Sequence, residues 1–360
     1  MKTDIVIVGG GVIGLYSAAL LANNNLNITL IDQGPIGKES SWAAGGMLSP
    51  LLPWNYSDRT HYLTKQASHQ YALLAESLNE STGIDIEYWK CGLTSFHQQE
   101  TLLAERWCAQ NNTPYSTKYP TNIDGLKPSV NDNSITLPDI AQVRSSKLIK
   151  ALVNHLSRYG VNLMPNTKVQ KLKVERNRII GAHTSAGFIN TEHLIWSTGA
   201  WASLLKTSVD TFTPEVTPVR GQIIVFDGKS IGLQTILYEQ NHYLIPRKDG
   251  LILAGSTIEH VGFDKSITES ARDDLMRKSL ALIPKLQSCE LVHHWSGLRP
   301  YSKSELPIIG PHPEIEGLYL NCGHYRYGIA MAPRSAEIVT KNILSSSTVN
   351  VPELASYALN

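Results

Sequence analysis

The chain has 360 residues, 42% hydrophobic and 18% charged, which suits a globular fold of two lobes or one large domain and excludes a disordered chain. A formal net charge of +1 argues against nucleic acid as a main partner, since a phosphate backbone calls for a basic surface. The four cysteines (Cys91, Cys108, Cys289, Cys322) form no CxxC pair and read as separate reduced thiols of a cytoplasmic protein.

Lys2 and the apolar stretch from Ile5 to Ala22 imitate a signal peptide, but Asp4 heads the stretch and three consecutive glycines interrupt it. It is too broken for a membrane-spanning helix, and no other segment approaches that length, so no integral membrane contact is expected. The better reading is a buried β-branched strand over 4–9, a helix over 12–22 closed by Asn23, Asn24 and Asn25, and a second strand over 27–32. That is the opening of a βαβ unit.

Apolar residues at Leu63, Ala67, Tyr71, Leu74 and Leu78 predict one helix over 60–81. From 83 to about 138 the pattern is mixed, with short strand candidates and a loop rich in Asn, Pro and Ser. A helix over 145–159 leads into strands at 161–164, 169–174, 178–182 and 193–199. A strand-rich block over 220–256 holds candidates at 222–226, 243–246 and 251–254. A helix is expected over 264–282. The chain then gives a strand over 318–321, a glycine-containing loop over 323–328 and a helix over 329–344.

Between the first strand and helix lies Gly9-Gly10-Gly11-Val12-Ile13-Gly14, with Asp32 at the end of the second strand. GxGxxG alone is a weak signal, and glycines in a loop are often only turn residues. Here the context is complete. Gly9 makes the tight turn, Gly11 lets the backbone approach a pyrophosphate, and Gly14 lets the helix pack on the strand. The helix N-terminus offers free N–H groups to phosphates, and Asp32 suits a ribose 2′-hydroxyl while disfavouring a 2′-phosphate. Two later features favour FAD over NAD. Ser40-Ser-Trp-Ala-Ala-Gly-Gly-Met47 lets a loop lie close to an extended cofactor, and a second helix N-terminus near Gly328 favours negative charge on a reduced flavin.

With SSWAAGGM, STGAWA, YLIPR, GLRP and GHYRYGIAMAP in order behind the glycine loop, the chain resembles the D-amino-acid oxidase superfamily of flavoproteins, and the glycine oxidases in particular. The resemblance implies an α/β fold, with a Rossmann-type FAD-binding domain (1–84, 142–212 and 297–360) and a substrate domain built on a large, mainly antiparallel sheet (85–141 and 213–296). It implies non-covalent FAD, because no cysteine lies between Leu298 and Leu320, just upstream of the C-terminal motif. It places Val12 and Ile13 at the pyrophosphate, Asp32, Gln33 and Val169 on the adenosine side, and Ser40, Ser41, Gly45, Gly46 and Met47 along the flavin. Gly199 and Trp201 of STGAWA join them, with the loop Gly323, His324, Tyr325, Arg326, Tyr327, Gly328, Ile329 and Ala330 at the flavin's pyrimidine edge.

For substrate, Arg299 and Arg326 match the two family arginines near the carboxylate, and Tyr243 matches the active-site tyrosine. A planar guanidinium suits a carboxylate bidentately, and Gly297 and Pro300 suggest that Arg299 sits on a stiff turn. A surface salt bridge is the plain alternative for either arginine, and core packing for Tyr243. Met47, Tyr327 and Ile258 complete the expected pocket. Tyr327 stands where the family commonly has Asn and Ile258 where glycine oxidases have Met, so the preferred amine stays open.

The implied activity is oxidation of glycine or another small amino acid or amine, with O2 reduced to H2O2, in the manner of the thiamine-pathway enzymes. A dehydrogenase with another acceptor, a sarcosine-type oxidase and a non-catalytic flavin-binding protein are the alternatives; a homo-oligomer is compatible with the sequence. Twelve histidines suggest no metal site, for HExxH is absent and His293-His294 would face opposite sides of a strand. Trp54 and Tyr56 read equally as a pocket wall or a surface loop.

Overall fold

The β-branched run Ile5–Val8 is buried along its whole length at the centre of a six-stranded sheet in the computed structural model, which describes residues 1–96, 101–118, 126 and 134–344. From one edge to the other the strands are Ile308–Pro311, Leu318–Cys322, His193–Trp196, Ile5–Val8, Ile28–Ile31 and Asn162–Met164. All pairs are parallel except the one made by the edge strand Ile308–Pro311. The chain runs from Ile5–Val8 to a neighbour on one side and returns at His193 on the other. Strand order therefore reverses there, and a crevice opens at the carboxyl ends, where ligands bind in sheets of this kind.

Helices Val12–Ala22, Ser145–Arg158 and Gly328–Leu344 cover one face and share a core of Leu15, Leu30, Leu152, Ala332 and Val339, all essentially inaccessible. The opposite face packs on an antiparallel meander of Val169–Glu175, Arg178–Thr184 and Gly187–Asn190.

A second sheet has seven strands, ordered Leu291–Ser302, Val216–Asp227, Leu251–Gly255, His242–Pro246, Ile236–Glu239, Leu93–Phe96 and Ser134–Leu137. It is antiparallel apart from the parallel pairing of Ile236–Glu239 with Leu93–Phe96. Helix Glu269–Leu282 covers one face. The long strand Leu291–Ser302 stays in this sheet to Ser302, six residues beyond position 296.

Three expectations change. The helix over 60–81 is two helices, Asp58–Thr64 and Ala67–Thr82, parted at Lys65 and Gln66. Leu63, Ala67, Tyr71 and Leu78 are all buried, so one apolar face continues across the break and hides it from the pattern. The helix expected from Asp264 begins at Glu269, where the Thr268 side chain caps it by accepting from the Ala271 N–H; Asp264 instead folds back to accept from the Ser266 N–H. The stretch after Gly83 holds a helix, Thr101–Gln110, that its mixed pattern did not suggest. Most of the Asn/Pro/Ser-rich loop before Pro138, and the chain beyond Leu344, lie outside the described residues.

Gly14 carries the contact between the first helix and the first strand. A Cβ there would lie 2.0 Å from the Gly9 carbonyl oxygen, a backbone atom that cannot step aside. Gly14→Ala should lower the stability of the cofactor-free protein by about 1–3 kcal/mol in a urea titration. An unchanged midpoint would show that this approach is not tight.

Candidate functional site

The carboxyl ends of the parallel strands, the loop after the first helix and one face of the seven-stranded sheet enclose a cavity of about 390 Å3. It runs from Asp32, Gln33 and Val169 past Gly9–Ile13 to Tyr243, Arg299 and the amino end of the last helix. Every residue expected at the cofactor or substrate site lines it except Gly14, Gly323, Ala330 and Ile258. Gly14 acts through packing, Gly323 is a turn residue at φ +80°, and Ala330 is buried in the last helix.

Ile258 is corrected: it is 45% exposed, whereas Thr257 and Glu259 on either side hydrogen-bond inward. Alternation along an extended segment turns Ile258 outward. Arg299 is corrected in its setting. It lies within a strand, paired with Val219, and not on a turn.

At the dinucleotide end, the glycine loop is held by side chains from elsewhere. Asp32 Oδ2 accepts from the Gly10 N–H at 2.8 Å and Oδ1 from the Gly34 N–H at 2.9 Å. Burial raises the Asp32 pKa, opposed by those two amides. Ser41 Oγ accepts from the Val12 N–H at 2.9 Å. Ile13 and Gly14 are first-turn positions whose N–H groups have no carbonyl one turn back. A Cβ on Gly9 would lie 2.3 Å from the Ser197 carbonyl oxygen, a backbone atom, whereas one on Gly10 would meet the Ile36 side chain at 2.8 Å. A close-approach backbone, an N-terminal amide set and an acid at the far end together fit an elongated dinucleotide.

The loop Gly45–Met47 forms the middle wall. Gly46 has φ +78°, and its Cβ would sit 2.0 Å from the Val143 carbonyl oxygen. Beneath the loop lies Arg247, buried, which donates to Gly45 O (2.8 Å), Val143 O (3.1 Å) and Gln142 Oε1 (2.5 Å). Burial brings its pKa down to about 10, so it remains a cation at neutral pH. Arg247 belongs to the YLIPR motif, yet nothing in a lone sequence assigns it this brace.

At the opposite end of the cavity, two strand glycines make room for the side chains of Arg299 and Tyr243. The Arg299 guanidinium lies over Gly221, whose Cβ would be 2.1 Å from Nη2. The Tyr243 ring lies over Gly255, whose Cβ would be 2.7 Å from the ring and hydroxyl. Glycine inside a strand signals close approach of another group, and that signal in Arg220-Gly221-Gln222 was the one available. Arg299 donates from Nη2 to Ser256 Oγ at 2.6 Å and from Nη1 to the Thr257 carbonyl at 3.0 Å. Burial lowers its pKa, an effect that Tyr243 counters and Arg326 adds to. Arg326 lies over the Tyr325 ring at 5.9 Å. Burial works against its charge, but Tyr327, Tyr56, Tyr325 and Tyr243 around it raise its pKa.

Tyr327 is buried, and its hydroxyl meets that of Tyr56 with the rings edge-to-face at 5.0 Å, so Tyr56 backs the cavity wall. Tyr325 has φ +48°, a left-handed conformation that a tyrosine adopts only under constraint from its surroundings. His324 is held by burial at about 3 and is a neutral imidazole. The last helix opens at Gly328, so its positive amino end faces the same space. Cys322 also lines the cavity, but burial pushes its thiol up to about 12, leaving no thiolate to attack a cofactor. Among the described residues no group of three His, Cys, Asp or Glu could hold a metal ion, and no helix is long and apolar enough to cross a membrane.

The chain is similar to known proteins along nearly its whole length. Glycine oxidase of Pseudomonas putida is 36% identical over 367 residues, covering 99% of this chain and 98% of that protein. Glycine oxidase of Pseudomonas aeruginosa is 34% identical over 362 residues, with 99% of each chain covered. The crystal structure of glycine oxidase from Bacillus cereus superposes with a TM-score of 0.90 at 25% identity, covering 100% of this chain and 99% of that one. A family model described as FAD dependent oxidoreductase (DAO) matches residues 4–342. The chain belongs to the DAO family of FAD-dependent oxidoreductases.

Proposed function

We propose that this protein oxidises glycine or another small α-amino acid or amine to its imine, which water converts to the 2-oxo acid and ammonia while O2 becomes H2O2. The observation that carries the reading is a charge imbalance. Arg299 and Arg326 face one end of the cavity, while the acids in its lining, Asp32 and Glu39, are engaged elsewhere. Asp32 holds the amides of Gly10 and Gly34, and Glu39 holds Lys265 at 2.9 Å. A substrate carboxylate is the complement of that end.

In this reading the Arg299 fork binds the carboxylate and the Tyr243 hydroxyl donates to the same group, fixing the α-carbon. FAD, when bound, supplies the two-electron acceptor and the route to O2. The amine reacts in its neutral form, so the residues need not supply a strong base. The amino end of helix Gly328–Leu344 favours negative charge beside it. Tyr327, backed by Tyr56, narrows the space next to Arg326 and favours small amines. The similarity to glycine oxidases makes glycine the first candidate, and the similarity to the bifunctional protein ThiO/ThiG supports thiamine biosynthesis as the setting. Four free cysteines suit the cytoplasm.

The test is a peroxide assay on the purified flavoprotein with glycine, sarcosine, D-alanine, D-proline and small amines. Peroxide with at least one is expected. A colourless protein would sink the reading, and turnover only with an artificial acceptor dye would make it a dehydrogenase. Arg299→Ala should raise KM roughly 100-fold, as for loss of a charge-assisted hydrogen-bonded pair, with FAD retained; an unchanged KM removes the role. Gly221→Ala should fold normally, because the group it displaces is the far end of a side chain, yet raise KM by pushing Arg299 aside. If KM holds, Arg299 does not need its place over Gly221.

A further inference from the structure

We propose that Glu259 is a positioning residue for Arg299, acting through Thr257 to aim the guanidinium at the substrate carboxylate. This rests on the carboxylate role just assigned to Arg299.

The segment from Ser256 to Thr268 leaves the strand Leu251–Gly255 and passes alongside Val216–Asp227 before the next helix begins. Its first two residues supply acceptors for Arg299, Ser256 Oγ and the Thr257 carbonyl. The Thr257 peptide is fixed on both sides of its hydroxyl. Oγ1 accepts from the Gln222 N–H at 2.9 Å and donates to Glu259 Oε1 at 2.5 Å. Glu259 Oε1 also accepts from Gln222 Nε2 at 2.9 Å, while Oε2 receives Arg220 Nη2 at 2.6 Å and Nε at 3.1 Å. Backbone bonds run both ways between Arg220 and Glu259, each at 2.9 Å. Asp264 takes the other end of the Arg220 guanidinium at 2.6 Å.

Two consequences follow for Arg299. The carbonyl that orients it cannot swing, since the Thr257 hydroxyl is used as donor and acceptor at once. The acids of this segment are also spent on Arg220, on the neighbouring residue of the strand beneath Arg299. Arg299 therefore keeps its charge for a ligand instead of closing on Glu259. Ser296, three residues before Arg299 on its own strand, ties the segment down again by donating to the Lys265 carbonyl at 2.5 Å.

The test compares Thr257→Val, Thr257→Ser, Glu259→Gln and the double variant Thr257→Val/Glu259→Gln in the flavin-loaded enzyme. Four quantities are read: KM for the best amino acid, kcat, the inhibition constant of acetate, and FAD affinity. Acetate presents a carboxylate without an amine, so it reports the anion site alone.

Thr257→Val should raise KM and the acetate constant together by about tenfold, with kcat and FAD affinity within twofold. Thr257→Ser, which keeps the hydroxyl, should restore both. Because the two residues act along one chain, the double variant should cost no more than the worse single one. An unchanged acetate constant in Thr257→Val overturns the proposal, as does a double variant whose effects multiply. Glu259→Gln should move KM and the acetate constant in the same direction as Thr257→Val, and if it leaves both unchanged the role of Glu259 falls. Arg299→Ala separates the two claims. If it leaves acetate binding intact, the carboxylate site itself is wrong; if it weakens acetate while Thr257→Val does not, only the positioning role falls.

Discussion

A guanidinium buried without a carboxylate beside it is the constraint around which the substrate end is built. Desolvating a cation is costly unless hydrogen bonds replace water. Around Arg299 that replacement comes from the carbonyls of Thr257 and Arg220 and the hydroxyl of Ser256, none of which neutralises it. The neighbouring features follow from keeping it so. Gly221 is bare because the guanidinium occupies the place of its side chain. Glu259 and Asp264 are paired with Arg220, Glu39 with Lys265, and Asp32 with backbone amides. Removing these acids from contention leaves the cavity with a positive end.

The middle wall obeys a related rule. Arg247 is also a buried cation, but it faces inward, towards the carbonyls of Gly45 and Val143 and the amide of Gln142. It turns the glycine-rich loop, which would otherwise have wide conformational freedom, into a fixed surface. The same motif thus supplies a side chain that faces the cavity, Tyr243, and one that stiffens the wall, Arg247.

The parts legible in the sequence were those whose causes are local. Gly9–Gly14, its flanking strands and Asp32 could be read because strand, turn and helix carry their own periodicity. The helix Val12–Ala22 has the expected bounds. What escaped depends on partners far along the chain. One helix is expected over 60–81 because an unbroken apolar face conceals the break at Lys65 and Gln66 between Asp58–Thr64 and Ala67–Thr82. Asp264 looked helical until its carboxylate was seen committed to Arg220, 44 residues away. Ile258 drew attention as the unusual residue in GSTIE, but the chemistry of that segment resides in Thr257 and Glu259. Gly221 and Gly255 gave the correct kind of hint, glycine within a strand, without saying whose side chain they admit.

The serine at the amino end of the first helix bears on what that turn can offer a ligand. Ser41 satisfies the Val12 amide from within the protein, while Asp32 satisfies Gly10. The amides of Gly10 and Val12 are thus answered from within the protein, and those of Ile13 and Gly14, in the first turn, have no carbonyl one turn back. An anion at this turn meets those two amides before it competes with a side chain for the others.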